Sequence, residues 1–375
     1  MNKKSVLIIN SGSLPMPPVD GGAIQQVLHQ IAMGLSLRGW KVGVLTITNQ
    51  ESEEAQLQEE ARSVKWYKIK GRLQSGGISG IFSAQKILRQ SLASIPPNEY
   101  ENVIIYDPYL AGTVNRWSSG TNIIWSVHNV RNRTSLLVKI WSRHISKVVS
   151  ISRFLKETID PTLSKRSTVI HVVIHNPLSE KWLNEQPIEF KKANSILFCG
   201  RLIPEKGLDV LVKAINLLSE RQRKTVKLGI AGSTHFKGAS ESEYSTHVRD
   251  LLEKSDINYK FLGFIDHKEL HNVYDAYQIL VIPSNWAEPA TLVAGEGQAR
   301  DCIVISSTAG GLPEMVSPTW HPYLVPPGDA ERLTEVLSKV IDFNHEGYSE
   351  EVKLWLKKEF HIQHIVTQWE RLLIL

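Results

Sequence analysis

Cysteine is nearly absent: Cys199 and Cys302 are the only two in 375 residues. That excludes a disulfide-stapled scaffold and a thiolate-built zinc site, and it sets a reducing, cytosolic compartment as the expectation. No stretch approaches the ~18 consecutive apolar residues that span a bilayer, so any membrane association is expected to be peripheral. The apolar run near the start, Val6 to Ile9, ends at Asn10, short of the roughly 7 to 15 residues of a signal-peptide core, so no cleaved leader is expected. Internal repeats and low-complexity tracts are also missing, which sets aside solenoids and biased tails. What is present is ordinary globular composition, 42% hydrophobic and 22% charged, at a length that suggests two domains. Lys+Arg of 43 against Asp+Glu of 38 leaves a net +5, a balance that suits anionic partners: phosphorylated small molecules, anionic lipid or nucleic acid.

Short apolar runs alternate with helical patterns almost from end to end, the rhythm of parallel α/β architecture. Val6 to Asn10 reads as a buried strand, Ser11 to Gly22 as a Gly/Pro-rich loop, and Ile24, Val27, Leu28, Ile31 and Leu35 as one face of a helix closed by Arg38-Gly39. Further strands are expected at 42–46, 64–69, 103–106, 122–127, 147–151 and 169–174, enough for one doubly wound domain spanning Met1 to Asn176. A polar stretch, Pro177 to Asn194, reads as a linker. A second series, with strands at 195–200, 226–232, 259–263, 279–283, 302–306 and 323–325, gives a second Rossmann-like domain from Ser195 to Trp355, and two such domains imply a cleft. The remaining segment, Leu356 to Leu375, carries the stripe Ile362, Ile365, Val366, Trp369, Leu372 and Leu373, too apolar for a free tail.

In open α/β sheets ligands bind beyond the carboxyl ends of the strands, where helix N-termini aim N–H groups at anions. Gly21-Gly22 precedes the first helix and permits close backbone approach to a phosphate or sugar, although a tight turn explains the pair equally and no GxGxxG fingerprint is present. Arg201 and Lys206, in Gly200-Arg201-Leu202-Ile203-Pro204-Glu205-Lys206-Gly207, flank another helix N-terminus. Cations there oppose the helix dipole unless an anion lies between them, so they read as a diphosphate clamp, the bland alternative being two solvated residues. In Glu288-Pro289-Ala290-Thr291-Leu292-Val293-Ala294-Gly295-Glu296, Pro289 suits a first-turn position, leaving Glu288 in the loop and Glu296 two turns into the helix. Two fixed carboxylates can hold two sets of vicinal hydroxyls while first-turn amides such as those of Leu292 and Val293 face the diphosphate. Gly310-Gly311-Leu312-Pro313-Glu314, taken alone, supports a turn.

Together these residues carry a family resemblance. Gly-Arg-Leu followed by Glu-Lys-Gly, the Glu-x7-Glu pair at Glu288 and Glu296, and Gly-Gly-Leu-Pro-Glu resemble the family 4 glycosyltransferases, retaining enzymes of the GT-B fold. The likeness runs in order through Gly21-Gly22, His128-Asn129, Ser150 to Phe154, His175-Asn176-Pro177, Phe261 to Phe264 and Val325 to Asp329. It implies two Rossmann-like domains facing across a cleft, with the C-terminal helix crossing back to the N-terminal domain. It also implies that Gly22, Arg201, Lys206, Thr291, Leu292 and Val293 bind the donor diphosphate, that Glu296 with Phe264 and Ile265 holds the ribose and nucleoside, and that His128 and Glu288 sit at the reacting sugar. Glu288 would hold sugar hydroxyls rather than act as a nucleophile. No cofactor and no metal are implied, and no Asp-x-Asp motif supports a metal-bridged diphosphate. The donor would be a nucleotide sugar, UDP-linked in first place and GDP-linked in second, and the acceptor a glycan or lipid-linked hydroxyl.

Ala290-Thr291, where many members have Phe-Gly, and Gly297 to Asp301, in place of an Ala-rich, Gly-ended run, depart from the pattern at the donor sugar. Leu14 to Pro18 with Gly21 to Gln25 resembles a bacterial spore-coat-associated branch. The expected location is therefore the cytoplasm, the inner face of the membrane, or the spore coat. Basic amphipathic segments, Ile81 to Leu92 and Leu136 to Val149, suit anionic lipid and suit ordinary packing as well. A nucleotide-sugar epimerase and a non-catalytic structural or binding protein are the rival readings. Nucleic acid is not expected as a partner, since the basic residues are dispersed.

Overall fold

A computed structural model describes residues 4–10, 14–19, 22–60, 64–71, 73, 77–130, 140–159, 169–184, 192–233, 242–341 and 349–375. Gly21, Leu136 and Lys139, singled out above, lie outside the described residues. The chain divides into two compact units, Met1–Pro177 with Ile362–Leu375, and Leu178–His361.

The first unit is a parallel sheet of seven strands: β1 (Ser5–Ile9), β2 (Lys41–Thr46), β3 (Val64–Lys68), β4 (Asn102–Ile105), β5 (Asn122–Val127), β6 (Lys147–Ser150) and β7 (Ile170–Val173), in the order β3-β2-β1-β4-β5-β6-β7. β1 and β4 are buried throughout, which is why they read as continuous apolar runs rather than alternating ones. The strand order reverses between β1 and β4, so the loops leaving these two strands open a crevice at the sheet's carboxyl edge.

The closing helix Ile362–Ile374 belongs to this unit and lies against the helix Ala23–Leu37. All six residues of its apolar stripe are buried. Gly34 makes the close approach feasible: a Cβ there would stand 2.4 Å from Val366 Cγ2. Polar ties fix the register, with Arg38 donating to Thr367 Oγ1 at 2.8 Å, Trp40 Nε1 to Glu370 Oε1 at 3.0 Å, and Lys147 Nζ to the Leu372 carbonyl at 2.7 Å. Lys147 is thus a buried strand residue, 3% exposed, and not part of a basic surface face.

The second unit is a parallel sheet of six strands: β8 (Lys192–Cys199), β9 (Lys227–Ala231), β10 (Asn258–Gly263), β11 (Tyr277–Ile282), β12 (Ile303–Ser307) and β13 (Leu324–Val325), in the order β10-β9-β8-β11-β12-β13. Its reversal falls between β8 and β11. Two expected boundaries move. The segment read as a linker from Pro177 contributes Leu178, Trp182 and Leu183 to this core, because its apolar residues outweigh its polar appearance. The closing segment read as Leu356 to Leu375 is split at His361, since Val352, Leu356 and Phe360 of the helix Ser349–Phe360 anchor it in the second core.

Candidate active site

The loops leaving β8 and β11, on either side of the reversal, carry the central charged pair of the second unit. A 3-10 turn, Pro204–Lys206, precedes the helix Leu208–Leu217 and places Lys206 half-buried, its Nζ donating to Glu288 Oε1. Ser284 Oγ donates to the same oxygen at 2.9 Å. The two loops are also tied through the backbone, Asn285 N to the Glu205 carbonyl at 2.8 Å. Glu288 is 3% exposed, so its charge is held by hydrogen bonds rather than water. Behind it, the Gly311 amide donates to the Glu288 carbonyl at 2.7 Å. Gly310 adopts φ 64, and a Cβ there would lie 2.4 Å from that carbonyl oxygen. The Gly-Gly-Leu-Pro-Glu segment therefore does more than turn the chain: it braces Glu288.

Pro289 does not occupy a first-turn position. The helix begins at Leu292 with Thr291 as its N-cap, and the Thr291 side chain makes no capping bond. Extended backbone at Thr291, φ −132 and ψ 138, puts the helix start at Leu292, beyond Pro289. The first-turn amides of Leu292 and Val293, which have no partner within a helix, thus stand just beyond the Glu288 loop. Glu296 becomes the fifth helical residue, in the second turn. It is 3% exposed, with His267 Nε2 donating to Oε1 at 2.8 Å and the Tyr274 hydroxyl to Oε2 at 3.1 Å. Burial works against a charged His267, but the Glu296 hydrogen bond and charge, with Asp266 beside it, raise its pKa above the ordinary value.

Arg201 is exposed and lines a pocket of about 140 Å³ with Gly200, Gly232, Ser233, Phe264 and Ile265. Two glycines and an aromatic ring 41% exposed make a slot for a flat, apolar-faced group. Cys199 also lines it, and the Tyr274 hydroxyl lies 3.6 Å from Cys199 Sγ, so Glu296 and the pocket share a neighbour. Burial pushes the Cys199 thiol up to about 12, so it stays protonated.

Gly22 and His128 lie in the first unit. Gly22 is the N-cap of the helix Ala23–Leu37, with φ 97. His128 follows β5 at the sheet's carboxyl edge, its Nε2 hydrogen-bonded to Ser126 Oγ at 2.9 Å and its ring 4.8 Å from that of Tyr106. Burial lowers its pKa to about 3, leaving a neutral imidazole. Ser284, His267 and Tyr274 carry no motif in the sequence. The one local signal is that His267 follows Phe264-Ile265 in the same loop.

Comparison with known proteins agrees with this architecture. Spore coat protein SA of Bacillus subtilis is 23% identical over 357 residues, covering 89% of this chain and 90% of that one. A GDP-mannose-dependent monoacylated alpha-(1-6)-phosphatidylinositol monomannoside mannosyltransferase of Corynebacterium glutamicum is 29% identical over 170 residues, 44% of this chain and 42% of that protein. Among solved structures, Anabaena HepE in complex with UDP superposes with a TM-score of 0.75 at 17% identity, covering 98% of this chain and 99% of that one. The fold is that of the GT-B glycosyltransferases, two Rossmann-like α/β units. Residues 180–353 match the family described as Glycosyl transferases group 1.

Proposed function

We propose that this chain is a retaining, metal-independent glycosyltransferase of family 4 that moves a hexosyl group from a nucleotide diphosphate sugar to a hydroxyl of a glycan, lipid-linked or cell-surface glycoconjugate. The observation that carries the reading is the convergence of Lys206, Glu288 and the first turn of Leu292–Ala299 at the β8/β11 reversal, beside a glycine-lined pocket that Arg201 and Phe264 also line. In this reading the pocket takes the base, Glu296 the ribose, and Arg201, Lys206 and the amides of Thr291, Leu292 and Val293 the diphosphate. Glu288 holds the hydroxyls of the transferred sugar. UDP is the first choice of nucleotide and GDP the second, as the relatives named for UDP and GDP-mannose suggest.

The acceptor hydroxyl oxygen bonds to the anomeric carbon as its bond to the diphosphate oxygen breaks. The electron pair leaves with the diphosphate, which takes up the hydroxyl proton on the same face, so configuration is retained. Charge growing on the leaving group meets cations and helix dipoles already in place, which stabilises the transition state more than the ground state.

Peripheral association with membrane or spore coat belongs to the same proposal. Among the described residues no helix is long and apolar enough to cross a membrane. The helix Gly77–Leu92 has no acidic residue, and Ile78 and Phe82, 62% and 65% exposed, share a face with exposed Lys86 and Arg89, the pattern of an interfacial helix. Phe82→Ser with Lys86→Glu should abolish sedimentation with vesicles rich in anionic lipid; unchanged sedimentation would remove this face from the account. Transfer itself is tested by incubating protein with UDP-glucose or GDP-mannose and a cell-envelope glycolipid fraction, then reading nucleotide release and the anomeric coupling of the product by NMR. An axial product linkage from an axial donor supports the proposal, and an inverted one refutes the retaining step. Conversion of the nucleotide sugar without an acceptor would favour an epimerase, and no conversion at all a structural protein.

A further inference from the structure

Glu296 is a buried carboxylate whose two oxygens each receive one hydrogen bond, from His267 and from Tyr274. An ionised carboxylate offers about four lone-pair directions, so each oxygen keeps capacity for one further donor. Two donors on separate oxygens also fix the carboxylate plane, which a single partner would leave free to rotate. The donors are held in turn: the Trp182 ring packs edge-on against both, 5.5 Å from the His267 ring and 5.8 Å from that of Tyr274. Trp182 is 6% exposed and Tyr274 fully buried, so this wedge has little room to move. The Tyr274 hydroxyl also reaches Cys199, which lines the pocket.

We propose that His267 and Tyr274, wedged by Trp182, are positioning residues that fix Glu296 as a two-point acceptor for the vicinal 2′- and 3′-hydroxyls of a nucleoside diphosphate. This rests on the donor-site reading above. Nothing in the pair need touch the nucleotide: its effect is to remove the cost of orienting a carboxylate at the moment of binding, so its loss falls on ribose recognition alone. Around His267, Glu296 and Asp266 favour the imidazolium, while burial and Lys181 oppose it. The ring can donate from Nε2 in either protonation state, so a neutral amide can substitute for it.

The test is calorimetric titration of UDP against 2′,3′-dideoxy-UDP, and of GDP against its dideoxy analogue, into wild type, His267→Ala, His267→Gln, Tyr274→Phe and Arg201→Ala. Wild type should prefer the ribose form by at least about tenfold, the range of hydrogen bonds to a charged group. His267→Ala and Tyr274→Phe should remove most of that preference while leaving affinity for the dideoxy nucleotide unchanged, and His267→Gln should restore part of it. Arg201→Ala should weaken both nucleotides alike. Tyr274→Phe deletes a single oxygen and carries the test if His267→Ala fails to fold. If His267→Ala and Tyr274→Phe weaken both nucleotides equally, or leave the preference intact, the positioning role is overturned while the donor site stands. If wild type binds neither UDP nor GDP, the donor site itself fails and the inference falls with it.

Discussion

Lys206 and Glu288 neutralise each other where either charge alone would be costly, their side chains 20% and 4% exposed. Lys206→Ala strands a buried carboxylate and should cost about 2 to 4 kcal/mol in urea denaturation, whereas Lys206→Ala with Glu288→Gln should recover more than half of that. Equal losses in single and double variants would mean the pair is uncoupled. Both residues were legible as candidates from their motifs, but their contact was not, since 82 residues separate them. His267 and Tyr274 were illegible for a related reason: they act through Glu296 from 29 and 22 residues away, and neither stands in a motif. The departures at Gly297 to Asp301 find a packing explanation. Arg300 forms a buried two-point pair with Asp275, and Asp301 takes the left-handed conformation, φ 59, usual for a glycine after a helix, while accepting a hydrogen bond from Lys353 at 3.1 Å.

Among the elements, the strands and the closing helix could be read because burial on both faces writes an unbroken apolar run and burial on one face a helical stripe. The ends of elements were harder. A polar-looking segment hid Trp182, and Pro289 suggested a helix start that the extended backbone of Thr291 defers. The helix pair Ala23–Leu37 and Ile362–Ile374 gives a direct check on packing. Gly34→Ala places a methyl against Val366 and should destabilise the protein by about 1 to 3 kcal/mol, and Val366→Ala added to it should relieve the clash, leaving the double variant more stable than the sum of the two single losses implies. A neutral Gly34→Ala would show that the two helices stand farther apart.

For the whole molecule, pH exposes the buried histidines. Burial holds His128 near a pKa of about 3 and, with Lys156 nearby, His171 near about 4, while the unfolded chain protonates these rings near pH ~6.5. Depressed folded values mean that stability is intact above the unfolded pKa and falls as acid protonates the unfolded chain first. Between pH ~6.5 and ~5, above the carboxylate range, the unfolding free energy should drop by up to about 1.4 kcal/mol per pH unit from each ring, the more deeply buried His128 giving the larger share. His128→Gln should flatten that slope. The raised pKa of His267 works in the other direction: its contribution is complete below the unfolded value and is lost as pH rises through the folded one. The central claim, that the second unit binds a nucleotide sugar through Arg201 and Glu296, is tested most directly by thermal shift. Wild type, Arg201→Ala and Glu296→Ala would be scanned against UDP-, GDP-, ADP- and dTDP-sugars, because a ligand that binds only the native state must raise its melting temperature. The account predicts a rise for one nucleotide class in wild type and its loss in both variants; folded wild type that no nucleotide sugar shifts, even at millimolar concentration, would contradict it.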